Sequence, residues 1–303
     1  MMKKIVVVGS LNVDTVVRVP HLPAAGETIL SRSVSVCRGG KGANQAAAIA
    51  KLGGNVAMIG CVGNDSFGQF VVVGLKECGV DVGAVQTLAD TDTGTAYINV
   101  ADSGENNIVV NAGANNHLTV DMVDCCRHLF DDASHCVIQL ETPIDTLYFV
   151  AQLCRRQNIR LILNPAPAAE LNFAELQSTW MIAPNESELD LLVPGDGDVE
   201  FKAHKLFEKG FEHVLVTLGS QGCILLNAQG KQYFEACKVD HVKDTTAAGD
   251  SFIGALAFGL SLGHSLQSSI VLANKAASIT VSRMGAQHSL PTMAELQSAF
   301  GPV

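Results

Sequence analysis

The chain has 303 residues and a formal net charge of −10, with 48% hydrophobic and 17% charged residues. That is enough apolar material for one large domain. The acidic balance argues against binding nucleic acid over a broad surface, though not against a single nucleotide held by local N–H dipoles and a metal ion.

In chain order, short apolar runs alternate with longer amphipathic segments. Residues 5–8 read as a buried strand, 42–52 as an alanine-rich helix and 56–60 as a second strand. Asp65 is placed to cap a helix reaching about residue 78. Residues 136–140 read as a strand, and Pro143 suits the first turn of a helix running to about residue 157. Residues 159–163, 180–183 and 214–218 repeat the strand pattern, with helices over Glu186–Leu192 and 200–209. Three helices close the chain, over 249–262, 265–281 and 292–300. This alternation predicts a single three-layer α/β/α domain over 1–303 with a mostly parallel central sheet. Residues 15–19 and 28–37 have strand character with no helix between them. Gly94–Ala101 and Asn106–Asn111 form a hairpin-like pair around Ser103-Gly104-Glu105. These four segments read either as a small separate sheet, a lid inserted near 15–37 and 94–111, or as edge strands of the main sheet.

Nine cysteines, at 37, 61, 78, 125, 126, 136, 154, 223 and 237, include no C-x-x-C pair. Neither a disulfide framework nor a zinc site is indicated, and reduced thiols in a cytoplasmic protein are expected. The start, Met1-Met2-Lys3-Lys4-Ile5-Val6-Val7-Val8-Gly9, has too short an apolar run for a signal peptide. The longest apolar stretch, 253–262, is broken by glycine and serine, so no membrane association is expected.

The most informative stretch is Asp244-Thr245-Thr246-Ala247-Ala248-Gly249-Asp250, directly before the apolar helix at 249–262. Small residues let backbone approach a ligand, and the first N–H groups of a helix point outward at its positive end. That suits phosphate. Asp250 at such a mouth would repel phosphate, and a reason for it is to take a proton from an attacking hydroxyl. No G-x-x-x-x-G-K-[ST], no G-x-G-x-x-G after the first strand and no G-x-S-x-G occurs, so any nucleotide site uses another device.

Further candidates follow the strands. Gly39-Gly40-Lys41-Gly42-Ala43-Asn44-Gln45 offers backbone approach, a point charge and an amide, or is simply a turn opening a helix. Asp14 in Asn12-Val13-Asp14 could accept from two sugar hydroxyls, or close a turn. Glu141 reads as a substrate contact or a favourable charge at a helix start. Asn185-Glu186-Ser187-Glu188 could hold water around Mg²⁺, or form a capping box, or both. Thr217-Leu218-Gly219-Ser220-Gln221-Gly222 could line a nucleotide or be an ordinary hairpin.

In order and spacing these motifs resemble the ribokinase branch of the PfkB carbohydrate kinases over nearly the whole chain. Gly9-Ser10-Leu11-Asn12-Val13-Asp14, the 39–45 motif, Ala112-Gly113-Ala114-Asn115, Asn164-Pro165-Ala166-Pro167-Ala168, the 184–188 and 217–222 motifs, 244–250 and Gly285-Ala286-Gln287 carry the likeness. The resemblance implies a ribokinase-like fold with a four-stranded lid that often pairs two chains, and transfer of the ATP γ-phosphate to a sugar hydroxyl, the 5-hydroxyl in ribokinases. It implies Asp250 as general base, with Ala247, Ala248, Gly249 and Asp250 N–H groups as anion hole. Sugar contacts would be Asn12, Asp14, Gly40, Lys41, Asn44 and Glu141. Asn185 and Glu188 would serve Mg²⁺ and phosphate; Thr217, Gly219, Ser220, Gly222 and Asn274 the nucleotide. Asp244, Thr246, Thr280, Arg283, Gly285 and Ser289 match a potassium site, several through backbone carbonyls. His288 stands where proline is common beside that site, and polar residues of the lid strands could shift substrate choice. The alternatives are a kinase for deoxyribose, a nucleoside or another sugar, or a sugar-binding sensor without catalysis.

Overall fold

Ile5, Val6, Val7 and Val8 are all fully buried, with Ile5 and Val7 packed into one core and Val6 and Val8 into another. An uninterrupted apolar run is what a strand covered on both faces requires. In the computed structural model, which describes residues 3–301, this strand, β1 (Lys4–Val8), sits inside a nine-stranded sheet. Met1, Met2, Pro302 and Val303 lie outside the described residues. The other strands are β4 (Val56–Gly63), β5 (Asp81–Leu88), β8 (Ala133–Ile138), β9 (Arg160–Leu163), β10 (Met181–Ile182), β11 (His213–Thr217), β12 (Cys223–Asn227) and β13 (Gly230–Phe234). Their order is β13-β12-β11-β10-β9-β8-β1-β4-β5, parallel from β5 to β11, with β12 and β13 added antiparallel.

Helices cover both faces, as parallel crossovers require. On one side lie α1 (Lys41–Lys51), α2 (Ser66–Cys78), α7 (Ala248–Ser261), α8 (Leu266–Val281) and α9 (Met293–Phe300). On the other lie α3 (Val120–Cys125), α4 (Ile144–Gln157), α5 (Glu186–Leu192) and α6 (Val199–Phe207). Asp65 caps α2, its carboxylate accepting from the Gly68 N–H at 2.7 Å. Pro143, expected in the first helical turn, is instead the residue before α4: its backbone is extended, and its carbonyl accepts from the Thr146 N–H. β5 and β13 were not anticipated, and β12 only through the hairpin alternative for 217–222. β5 and β13 are edge strands, β5 of mixed burial and β13 mostly exposed, so they lack the apolar run that marks the inner strands.

The four unassigned segments form a second, separate sheet, β3-β2-β6-β7, made of β2 (Asn12–Val19), β3 (Ser33–Gly39), β6 (Gly94–Ala101) and β7 (Asn106–Asn111). They are not edge strands of the main sheet. The inserted segments run 12–39 rather than 15–37: β2 starts three residues earlier than expected, and residues 28–32 precede β3 without strand structure. Pairing through the sheet aligns Cys37, Asp14, Ala96 and Val110 in one row, and Val36, Thr15, Tyr97 and Val109 in the next. Adjacent rows point to opposite faces. Tyr97 and Val109 therefore point away from the face that carries Asp14.

α1 and α7 meet through small side chains. A Cβ placed on Gly254 would lie 2.5 Å from the Ala48 Cβ and 3.0 Å from the Gln45 carbonyl oxygen. Gly254→Val is expected to force the two helices apart and lower stability by about 1–3 kcal/mol, the usual cost of overpacking. Thermal unfolding against the parent protein measures it.

Candidate active site

The carboxyl end of β1 leads into Ser10, Asn12 and Asp14, and α1 begins directly against this turn. Gly40 precedes α1 with φ +88°, and a Cβ there would stand 2.7 Å from the Asn12 nitrogen. Only glycine meets both demands. Asn12 accepts from the Asn115 amide at 2.7 Å, and Asn115 accepts from the Leu11 N–H at 2.9 Å. Glu141, just beyond β8, accepts from the Lys41 N–H at 3.0 Å and from the Ser10 hydroxyl. Asn44 Nδ2 donates to Asp250 Oδ2 at 2.9 Å, and Gln45 Nε2 to Asp250 Oδ1 at 3.0 Å. Residues some 200 positions apart are thus joined through one buried carboxylate. The Asn44 Oδ1 is itself buried without a partner, as an acceptor kept for a ligand would be.

The charges form a coupled set. Burial pushes the Asp14 carboxyl up to about 7, helped by the charges of Glu141 and Asp250 and opposed by Lys41. Burial likewise raises Asp250, while the Lys41 ammonium and the amides of Asn44 and Gln45 pull it down. Burial would lower Lys41, but the surrounding carboxylates, Asp250 and Glu141 foremost, outweigh it and raise it. Buried carboxylates around one ammonium form a site able to accept hydrogen bonds from hydroxyls and to take up a proton.

On the other side of Asp250 lies the turn expected to form an anion hole, and one of its four expected donors is taken: the Ala248 N–H bonds the Thr245 carbonyl at 3.2 Å. Ala247 caps α7 in the left-handed region, at φ 59°, a strained state for a residue with a side chain and one that clusters at functional sites. Gly249 faces open space: a Cβ there would meet nothing within 4 Å. Ala248, Gly249 and Phe252 line a cavity of about 580 Å³, and so do Thr217, Gly219, Ser220, Gly222 and Asn274, the five residues expected to touch nucleotide. The turn at 217–222 both lines the cavity and links β11 to β12 as a hairpin. The first turn of α7 thus stands between the carboxylate cluster and a mainly apolar cavity.

The pattern of the pfkB family carbohydrate kinases matches residues 2–293. The chain belongs to this family. It is 37% identical over 299 residues to the ribokinase of Haemophilus influenzae, covering 97% of each chain. It is 38% identical over 313 residues to the ribokinase of Schizosaccharomyces pombe, covering 99% of this chain and 98% of that one. Arabidopsis thaliana ribokinase, in a structure complexed with ribose and ATP, superposes with a TM-score of 0.91 at 30% identity over 98% of each chain.

For a carbohydrate kinase the remaining candidates fall as follows. Asn185 and Glu188 form the capping box of α5: the Glu188 N–H donates to Asn185 Oδ1 at 2.8 Å, and the Asn185 N–H to Glu188 Oε2 at 2.9 Å. Burial raises the Glu188 carboxyl; its bond from the Asn185 N–H and the Lys41 charge oppose this. Among the described residues no cluster of three or more acidic, His or Cys side chains could hold a metal. A single carboxylate fits Mg²⁺ that keeps most of its water and is held chiefly by phosphates. Around Asp244 the side chains fit a cation less directly. Asp244 Oδ1 accepts from the Thr246 N–H and hydroxyl, and Oδ2 from the Gly285 N–H at 2.9 Å. The Thr280 hydroxyl donates to the Ala276 carbonyl and shares a bond with the Ser251 hydroxyl, Arg283 pairs with Glu295, and the Ser289 hydroxyl donates to the Ala286 carbonyl. Arg283 has no lone pair to offer a cation, while the Thr280 and Ser289 hydroxyls spend their hydrogens inside the protein and keep oxygen lone pairs.

Reading the sequence missed Gln45 as a partner of Asp250, although it lies inside the 39–45 motif. It also missed the cavity wall formed by Cys237, Val239 and Val242. That wall comes from a segment without helix or strand, so no periodicity marked it.

Asp14 makes folding pH-dependent. The folded chain holds the Asp14 proton up to about pH 7, the unfolded chain only to about 3.8, so the contribution of this group to stability falls as pH rises between those values. Asp14→Asn is expected to melt higher than the parent at pH 8, with the gap closing as pH approaches 4. Calorimetry across that range checks it.

Proposed function

We propose that this chain is a ribokinase that transfers the γ-phosphate of ATP to the 5-hydroxyl of ribose. One observation carries the reading. Asp250, buried at the first turn of α7, bonds the sugar-side residue Asn44, while its neighbours Gly249 and Ala248 line the large cavity. A base lies between the pocket suited to hydroxyls and the pocket suited to a nucleotide. The likeness to ribokinases over nearly the full chain supports ribose as acceptor.

Asn12, Asp14, Gly40, Lys41, Asn44 and Glu141 bind the sugar from the carboxylate-rich side. Asp250 takes the proton of the 5-hydroxyl as its oxygen bonds the γ-phosphorus and ADP departs. The N–H groups of Ala247, Gly249 and Asp250 face the charge that develops on the transferring group, and the α7 dipole reinforces them, while the Ala248 N–H holds the turn by bonding the Thr245 carbonyl. Thr217, Gly219, Ser220, Gly222 and Asn274 hold the nucleotide. Mg²⁺, with Asn185 and Glu188 nearby, supplies neutralisation of phosphate charge when bound. K⁺ would be held beside Asp244, Thr246 and the 280–289 backbone, and Asp244 itself braces the anion-hole turn against Gly285. The second sheet serves as a lid over the sugar, excluding water as a competing acceptor. The chain works in the cytoplasm, a reading supported by nine free cysteines and by the lack, among the described residues, of any helix long and apolar enough to cross a membrane.

An ADP-release assay over ribose, 2-deoxyribose, nucleosides and hexoses, with and without K⁺, tests this. Ribose is expected to give the highest kcat/KM, and K⁺ to raise the rate. Sugar-induced protection from unfolding with no turnover on any sugar would instead mark a sensor. Asp250→Asn is expected to lower kcat by about 10²–10⁴-fold while retaining ATP binding.

The outer face of the lid supports a homodimer. Val34, Val36, Tyr97 and Val109, on the face opposite Asp14, are 49–66% exposed. An open apolar row on a sheet suits a second copy of the same sheet. The parent is expected to sediment as a dimer and Val109→Glu as a monomer.

A further inference from the structure

Asp250 is held by two neighbouring amides of α1 that differ in one respect. Asn44 uses its Nδ2 on Asp250 and leaves a buried Oδ1 without a partner. Gln45 has little left to offer a ligand. Its side chain is fully buried. Its Nε2 donates to Asp250 Oδ1 and to Asn164 Oδ1, each at 3.0 Å. Its Oε1 accepts from Gln139 Nε2 at 2.6 Å. Both hydrogens are therefore used inside the protein.

The same bonds fix which way the Gln45 amide points. Turned over, its oxygen would face the Asp250 carboxylate and the Asn164 oxygen, and its nitrogen would face the donor of Gln139. Asn164 is in turn held by its own Nδ2, which donates to the Ala183 carbonyl at 3.1 Å. Gln139 is held in this orientation although its Oε1 is buried without a partner. Gln139, Asn164 and Ala183 lie just past the carboxyl ends of β8, β9 and β10, so the sheet itself anchors the chain of amides.

We infer that Gln45 is the positioning residue of Asp250, and that Gln139 and Asn164 lock its amide so that it always presents a donor to the carboxylate. The inference rests on Asp250 being the general base. Gln45 does not touch substrate; it acts through Asp250. A donor on Oδ1 favours the charged form of a carboxylate that burial would otherwise protonate, and it fixes the carboxylate plane. Asn44 and Gln45 thus divide the work, one with an acceptor to spare for the sugar and the other committed to the base.

The test compares pH profiles of kcat for the parent, Gln45→Met and Gln139→Leu, with Asp250→Asn as control, each checked for folding by thermal melting and ATP binding. For Gln45→Met the acidic limb should move up by about one pH unit, lowering kcat on that limb about tenfold, while KM for ribose changes less than about threefold. Gln139→Leu, which keeps Gln45 but frees its amide, should shift the limb the same way by less. If Asp250→Asn is inactive and the limb stays in place in the folded variants, the inference is overturned and the base assignment stands. If Asp250→Asn turns over like the parent, the base assignment falls and the inference falls with it. Should Gln45→Met fail to fold, the Gln139→Leu profile decides by the same criterion.

Discussion

A carboxylate taken out of water must be paired or it takes up a proton, and the site is organised around this constraint at Asp250. Asn44 and Gln45 bond it from the first turns of α1, and the charge of Lys41 favours its ionised form. They can do so only because α1 and α7 lie close together, and the helices lie close because Gly254 and the alanines of α1 leave no bulk between them. Packing of small residues in the core and ionisation of the base are two aspects of one contact.

The same first turn of α7 serves a second purpose. Its outward N–H groups and the dipole behind them give positive potential where Gly249 opens onto the cavity. The protein carries a net charge of −10, and the carboxylate pocket holds one ammonium among several acids. Favourable potential for phosphate therefore comes chiefly from backbone and Lys41, not from a basic surface. The strained Ala247 turn is held by its neighbours: the Ala248 N–H bonds the Thr245 carbonyl, and Asp244 ties the preceding segment to Gly285. The loop proposed to hold K⁺ is thus mechanically joined to the turn proposed as anion hole.

The small sheet divides its tasks by face. Strand alternation puts Asn12, Asp14, Ala96 and Val110 on one side and Val36, Tyr97 and Val109 on the other. The polar Asn99 belongs with the second set and bonds Asn107 across the sheet at 2.9 Å. Its polarity is therefore turned away from Asp14, which removes one reason to expect an altered sugar preference.

What the sequence determined by itself was the local chemistry. Runs such as 5–8 and 214–217 specify buried strands, and the glycine-containing turns at 39–42 and 247–249 specify where backbone can approach a ligand. The match of many ordered motifs then led to the family. Edge strands β5 and β13 were not legible, because a strand covered on one side lacks a continuous apolar run. Nor was the partner of Asp250. Gln45 lies in the 39–45 motif, but nothing there names its partner, and its role arises only when α1 packs on α7 and the ends of β8 and β9 bring in Gln139 and Asn164. The tertiary structure also decided the partners around Asp244: Thr280 meets Ser251 and Arg283 meets Glu295, neither of which the sequence marked. A sequence lists donors and acceptors; only the fold decides which of them face each other in the absence of water, where each must find a partner or leave an opening for a ligand.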